Sequence, residues 1–160
     1  MRIKLLIIFF YFLVAVSNYA QPDNLSIQLD YANNLYNNNQ FFDAITEYKR
    51  LIFFDLSKKS HFKAYFQIGK CYKAGAKLDD AIKYFALAEM NSNTDEERLK
   101  SKIEIVRCNI LRKTTARAHQ LLDELESSAF SKEIKDSIYY WRGWTYMFED
   151  KWQSASDSFA

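Results

Sequence analysis

Few side chains in this sequence are placed where they could do chemistry together. The two histidines, His61 and His119, stand far apart in the chain, with no second ligand at the short spacings typical of metal sites. Neither forms a recognisable pair with a nucleophile, and no serine lies in a Gly-x-Ser-x-Gly turn. We expect His61, between two predicted helices, to be solvated and His119 to cover a helix surface. The histidines therefore predict neither a metal site nor a nucleophilic catalyst.

Phosphate binding and acid–base catalysis find no better support. The three glycines, at positions 69, 75 and 143, are too dispersed to form a phosphate-binding loop. The acidic pairs Asp79–Asp80 and Glu96–Glu97 fall at predicted helix starts, where a carboxylate interacts favourably with the positive end of the helix dipole. We therefore expect a protein that is not an enzyme and has no cofactor.

A spacing of 37 residues organises most of the chain. The stretch "QFFDAITEYKRLI" at 40–52 is closely related to "KLDDAIKYFALAE" at 77–89, and four alanines share this step. Four places after each alanine the residue is large and apolar, and twelve places before it the residue is small in three copies of four. The alanines are Ala44, Ala81, Ala118 and Ala155, the large residues are Tyr48, Phe85, Leu122 and Phe159, and the preceding column is Ala32, Gly69, Val106 and Gly143. Spacings of three and four residues place side chains on one helix face, so each copy predicts a helical hairpin.

The scarcity of glycine and proline also favours an all-α chain. Glycine occurs three times and proline once, so the turn signals of strand-rich proteins are missing. A single hairpin cannot bury its own apolar face, so neighbouring hairpins must stack on one another. "TDEE" at 94–97 predicts a capping box, and turns are expected at 37–40 and 73–77. Helices are predicted near 24–38, 41–56, 60–74, 78–91, 95–112, 115–127, 131–148 and 152–160.

The repeat resembles the tetratricopeptide repeat (TPR) family. In the second copy the residues that match the family pattern are Tyr65, Ile68, Gly69, Tyr72, Leu78, Ala81, Phe85 and Ala88. The first copy matches well, the third departs at three positions, and the fourth stops inside its second helix. The family period is usually about 34 residues, so about three residues extend each segment between hairpins. The resemblance implies a right-handed α-solenoid of about four stacked antiparallel hairpins over residues 21–160, the last incomplete.

The resemblance also implies a binding surface, because the first helix of each TPR hairpin lines a concave groove. This groove would be aromatic and aliphatic with embedded cations, which suits a peptide helix or an extended segment. Several of the same residues could instead pack against a neighbouring hairpin. Chaperone-binding TPR proteins hold a terminal carboxylate, but Leu29, Gln67 and Glu104 depart from that pattern. By position the groove residues are Asn33, Tyr36, Phe66, Lys70, Lys73, Ile103, Arg107, Ile110, Tyr140, Trp144 and Met147.

The spacing of Cys71 and Cys108 equals the repeat period, which places them at equivalent positions of adjacent hairpins. Two cysteines in an exported protein suggest a disulfide. Packed helices lie roughly 8–10 Å apart between their axes, whereas a disulfide needs Cα atoms about 4.4–6.8 Å apart. The sequence therefore predicts buried free thiols that act as small apolar side chains.

Residues 1–20 predict a cleaved secretory signal peptide. Arg2 and Lys4 precede an unbroken apolar run, Leu5–Val16, and small residues follow. A membrane-spanning helix needs roughly 20 apolar residues, more than this run contains, so we expect cleavage after Ala20 or Ser17 rather than a retained anchor. The predicted location is the periplasm or cell envelope. The junction "YAQPDN" and the Asn-, Lys-, Ile-, Phe- and Tyr-rich composition look like those of exported proteins of Bacteroidota.

The charge balance limits the class of partner. The chain has 22 Lys and Arg against 20 Asp and Glu, and the numbers become equal without the first twenty residues. A neutral protein has no electrostatic reason to bind nucleic acid or an anionic membrane, so we expect neither as a partner and no insertion into a membrane after signal cleavage. We expect a non-enzymatic interaction or scaffold module with a protein or peptide partner in the envelope. Alternatively, Trp152 and Phe159 in a short last helix indicate the N-terminal periplasmic arm of a longer membrane-associated or catalytic protein.

Overall fold

The computed structural model describes residues 23–127 and 132–160, and this part of the chain is entirely helical. Every predicted helix is present, and its boundaries lie close to the predicted ones. None of the described helices is both long and apolar enough to cross a membrane. The predicted signal peptide lies outside the described residues. The helices are α1 Asp23–Asn37, α2 Phe41–Phe54, α3 His61–Ala74, α4 Leu78–Met90, α5 Asp95–Leu111, α6 Thr115–Ser127, α7 Lys132–Phe148 and α8 Trp152–Phe159.

The helices pack in chain order as four stacked hairpins. Each first helix (α1, α3, α5, α7) packs against the second helix of its own hairpin, and each of α2, α4 and α6 packs against the next first helix. The helix α5 also contacts both α3 and α7. The first helices therefore approach one another along one side of the array, which confirms the predicted all-α solenoid and defines its inner face.

The repeat alanines lie where paired helices cross. All four are buried, and each shares a hairpin with one large side chain of the repeat. In the second hairpin Gly69 faces the ring of the buried Phe85, and in the fourth Gly143 faces the ring of Phe159. A small residue in one helix therefore makes room for a large residue in the other, as the two sequence columns predict.

The turns inside the hairpins share one backbone conformation. In each turn a residue with positive φ follows the first helix, and the amide after it donates a hydrogen bond to the carbonyl five residues earlier, at 2.9–3.0 Å. This bond satisfies a carbonyl that the helix end leaves unpaired. In the turn at 73–77 the left-handed residue is Ala76, although Gly75 stands beside it. The positive-φ residues of these four turns are Asn39 (60°), Ala76 (57°), Lys113 (60°) and Asp150 (59°), one in each repeat and at the same place.

The start of α5 is capped as predicted. The Thr94 side-chain oxygen accepts a hydrogen bond from the Glu97 amide at 3.1 Å. The Glu97 carboxylate accepts in return from the amide of Asn93 at 2.8 Å, one residue earlier than in a standard capping box. Two free amides at the helix start are thereby satisfied, which fixes where the third hairpin begins.

The prediction that His61 is solvated is wrong. Its ring is buried, and Nε2 lies 3.2 Å from the carbonyl oxygens of Ile52 and Asp55. The reason is the fold of the connection, in which the Asp55 carboxylate accepts hydrogen bonds from the amides of Ser57 and Ser60. This turn brings the first residue of α3 back against the end of α2.

His119 and the cysteines lie between helices. The His119 ring centroid is 4.7 Å from that of Tyr146, and its Nε2 is 3.3 Å from the Glu149 carboxylate, so it joins the third hairpin to the fourth. Cys71 and Cys108 are buried free thiols, as predicted. Burial raises the pKa of Cys71 to about 12 and that of Cys108 to about 11. Both cysteines therefore act as small apolar core residues.

Candidate binding surface on the inner face

The predicted groove residues all lie on the first helices α1, α3, α5 and α7. They are half-buried, except that Tyr140 is exposed and Ile110 is buried. Ile110 packs in the core between α5 and α6, so the prediction that it lines the groove is wrong. Ile103 packs partly against the same core.

Contacts across the inner face join residues that lie slightly less than one repeat apart. The Lys70 ammonium lies 4.6 Å from the Tyr36 ring centroid, and the Arg107 guanidinium lies 4.8 Å from the Trp141 ring centroid. In both pairs the two residues are separated in the sequence by the repeat length less nearly one helical turn. Adjacent first helices are therefore offset along their axes by nearly one turn. Equivalent positions of the repeat are therefore not the positions that meet.

The first two hairpins meet at Asn33. Its side-chain oxygen accepts hydrogen bonds from the Tyr48 hydroxyl at 2.7 Å and from the Gln67 amide at 3.4 Å. Asn33 thus joins α1 to α2 and α3, which makes its main contribution structural. The carbonyl oxygen of Gln67 is buried and has no hydrogen-bond partner among the described residues.

Two of the three predicted groove cations share one carboxylate. Glu104 on α5 pairs with Lys73 of the preceding hairpin and, at 2.5 Å, with Arg107 one turn further along α5. The Glu104 side chain is only 12% exposed, so this pair is shielded from solvent. The sequence marked Glu104 only as a departure from the carboxylate-binding pattern and did not predict its pair with Lys73, because Lys73 is distant in the chain and only the stacking brings the two together. Its position one turn before Arg107 was the one available signal.

Lys70 differs from the other two cations. Among the described residues it forms no ion pair, and its ammonium lies over the Tyr36 ring. A cation over an aromatic face is stabilised by about 0.5–1 kcal/mol at an exposed site. Lys70 therefore retains a positive charge that is available to a bound group.

Aromatic side chains occur at both ends of the inner face, whereas α5 between them has none. The Phe66 ring packs edge-on against Phe85, with centroids 5.3 Å apart, and stacks on Phe62 at 5.6 Å. At the other end the centroids of Tyr140 and Trp144 lie 6.3 Å apart. The Trp144 indole nitrogen is buried and has no hydrogen-bond partner among the described residues.

A small cleft of about 120 Å³ opens between α1 and α3 on this face. It is almost entirely apolar. The described residues contain no group of three His, Cys, Asp or Glu side chains able to hold a metal ion. The lining residues are Leu29, Asn33, Phe62, Lys63, Phe66 and Gln67.

Solved structures share this arrangement. A kinesin light chain-like protein of Podosopora anserina with nearly identical TPR-like repeats superimposes with a TM-score of 0.69 and 16% identity, covering 91% of this chain and 78% of that chain. A single-residue variant of that protein superimposes with a TM-score of 0.70 and 15% identity, covering 91% and 76%. No family model and no curated protein matches the sequence. From the shared architecture we conclude that the described chain is an all-α helical repeat solenoid of the TPR-like kind.

Proposed function

We propose that this chain is a non-enzymatic protein–protein interaction or scaffold module that binds a protein or peptide along its inner face. The observation that carries this proposal is the series of aromatic and cationic contacts that runs across all four hairpins, from Tyr36 to Trp144. Stacked helical hairpins present extended surfaces of this kind to their partners. Aromatic and arginine side chains are the usual anchors of such interfaces.

The features of the face suit an extended or helical segment with an acidic and an apolar side chain. Lys70 supplies a positive charge without an ion-pair partner among the described residues, whereas Lys73 and Arg107 share the single negative charge of Glu104. The cleft beside Phe66 has room for a small apolar side chain. The proposed ligand therefore contacts at least the first two hairpins.

We propose further that the module works after export, in the periplasm or cell envelope, as in Bacteroidota-like exported proteins. Support comes from the basic start and the short apolar run of residues 1–20. Sequencing the N-terminus of the protein recovered from the envelope tests this part separately. A mature protein that begins after Ala20 or Ser17 supports export, and a cytoplasmic protein that keeps Met1 contradicts it.

A photo-crosslinking analogue at Tyr140 tests the binding face in the native cell, because this side chain is the exposed member of the series. The same analogue at Phe42, which is exposed on α2, is the matched control. We expect a captured protein with the probe at position 140 and none with the probe at position 42. Equal capture at both positions would contradict the assignment of the face.

The captured partner then allows a quantitative test. Lys70→Gln should weaken its binding by about fivefold, which corresponds to about 1 kcal/mol for one lost charge contact. Lys83→Gln, on the exposed side of α4, should leave the affinity unchanged. An affinity that responds to Lys83→Gln and not to Lys70→Gln would place the partner elsewhere on the protein.

A further inference from the structure

The connection between α2 and α3 differs in kind from its counterpart between α4 and α5. Positions 53, 54 and 56 are Phe, Phe and Leu, and positions 58 and 59 are lysines. One repeat later the same positions hold Met90, Asn91, Asn93, Asp95 and Glu96. Both segments join a second helix to the next first helix. At four of these five places the fold therefore requires neither a large apolar nor a basic residue, and only Met90 is a large exposed apolar residue like its counterpart.

The apolar side chains of the first connection project into solvent. Phe53 is 76% exposed, Phe54 is 59% exposed and Leu56 is 92% exposed. The rings of Phe53 and Phe54 pack edge to face, with centroids 5.1 Å apart, so they project together. Exposed apolar groups of this size mark interaction sites in soluble proteins.

Three lysines follow this apolar group in the chain. Lys58 and Lys59 come after Ser57, and Lys63 lies on the first turn of α3; all three are exposed. None of these lysines forms an ion pair with a described residue. The one carboxylate within the segment, Asp55, is buried and accepts hydrogen bonds from Ser57 and Ser60. The surface of the connection is therefore apolar at its centre and positive at its edge.

We propose that residues 53–63 form a contact site for an anionic phospholipid bilayer. Aromatic and aliphatic side chains on a protein surface enter the boundary between headgroups and acyl chains, and lysines next to them meet the lipid phosphates. Lysine is depleted in protein–protein interfaces, so this composition favours a bilayer over a protein partner. The site would hold the solenoid at a membrane surface, and it borders the inner face at Lys63, which also lines the cleft there.

This contact depends on local charge. The balanced total charge of the chain gives little long-range attraction, so adsorption requires the apolar group and the lysines to act together. Each lysine near an anionic membrane contributes about fivefold to the partition constant. Replacing two lysines should therefore weaken adsorption roughly 30-fold.

A fluorophore placed on the connection itself tests the proposal in the full chain. Leu56→Cys and Asn93→Cys carry the same environment-sensitive label at equivalent positions of the two connections. The native thiols do not compete for the label, because Cys71 and Cys108 are buried. Vesicles of phosphatidylcholine with an equal amount of phosphatidylglycerol should shift the emission of the label at position 56 to the blue. The label at position 93 should stay unchanged, and vesicles of pure phosphatidylcholine should have a smaller effect on either label.

Charge exchange supplies the second half of the test. Lys58→Asp with Lys59→Glu copies the charges of the other connection and should reduce adsorption of the label at position 56 by about 30-fold or more. The proposal is overturned if the two labels respond equally, or if the exchange leaves adsorption unchanged. It is also overturned if the label at position 56 responds to lipid-free envelope proteins and not to vesicles, which would assign the site to a protein partner.

Discussion

The ring of Phe85 lies directly against the backbone of Gly69. A Cβ atom on Gly69 would stand 2.7 Å from Phe85 Cδ1, which is closer than two carbon atoms can approach without displacement. The same relationship recurs between Gly143 and Phe159, two repeats later in the chain. The third hairpin replaces the pair with Val106 and a smaller partner, Leu122, which are buried together in one core. The two columns of the repeat therefore vary together.

Gly69→Ala is expected to destabilise the protein, although alanine favours helices by about 1 kcal/mol over glycine. Because Phe85 is fully buried and cannot move aside, overpacking should cost about 1–3 kcal/mol. Urea unfolding measures the loss. Gly75→Ala is the control, since its Cβ would meet only two carbonyl oxygens at 3.6 and 3.7 Å. Adding Phe85→Leu to Gly69→Ala should restore part of the stability, and a further loss would contradict this account of the pair.

Ala76→Gly should stabilise the protein. Ala76 has a φ of 57°, and the left-handed conformation costs an L-residue about 1–2 kcal/mol that glycine does not incur. The greater freedom of glycine in the unfolded chain offsets part of this gain, so we expect about 0.5–1 kcal/mol in urea unfolding. The same exchange at Ala74, in the last turn of α3, should destabilise by a similar amount. Two changes of the same sign would show that the turn is not under conformational strain.

Glu104→Gln should destabilise the stack of the second and third hairpins. The change removes the charged partner that Lys73 and Arg107 share. Because these side chains are partly buried, the interaction should contribute more than an exposed ion pair and less than a fully buried one. We expect the free energy of unfolding to fall by about 1–2 kcal/mol. Glu96→Gln removes an exposed ion pair with Lys100 on the same helix and should have little effect. A double-mutant cycle of Lys73→Met with Glu104→Gln measures the coupling across the interface. A coupling energy of zero would mean that the pair does not join the hairpins.

Acid should weaken the contact between the third and fourth hairpins. Burial opposes ionisation of Glu149, but hydrogen bonds from Lys151, Thr115 and His119 outweigh it and hold the pKa of the carboxyl at about 2, below its usual 4.5. Because the pKa of Glu149 is lower in the folded protein than in the unfolded chain, the ionised carboxylate stabilises the fold at pH values above about 4.5. This contribution is lost as the pH falls from about 4.5 to about 2. In urea unfolding, the stability advantage of the wild type over Glu149→Gln should therefore shrink across this range. Asp43→Asn, at an exposed carboxylate, provides the control, and a constant advantage would contradict the shifted pKa.

The repeat made the fold predictable from the sequence, because each element obeys a local rule that occurs several times. The helix boundaries follow from apolar spacing and from caps such as Thr94, and the crossing of paired helices follows from the columns that contain Ala81 and Phe85. The burial of Cys71 and Cys108 follows from the same alignment. Local periodicity therefore fixes what lies inside each hairpin.

Features that depend on the contact between hairpins could not be predicted in the same way. The burial of His61 arises from the turn that Asp55 organises, and no periodic signal announces that turn. The role of Glu104 depends on a partner from another hairpin, at a separation that differs from the repeat. Ile110 was aligned with Tyr36 and Lys73, but it points into the core instead.

The one-turn offset between adjacent first helices has a consequence for how such a chain can grow and diverge. Lys70 and Arg107 occupy equivalent positions and carry the same charge, yet one lies over Tyr36 and the other over Trp141. A duplicated hairpin can therefore stack on its parent without setting identical side chains against each other. After duplication, each side chain contacts residues at other positions of the neighbouring repeat. Two copies that begin identical can therefore acquire different surfaces.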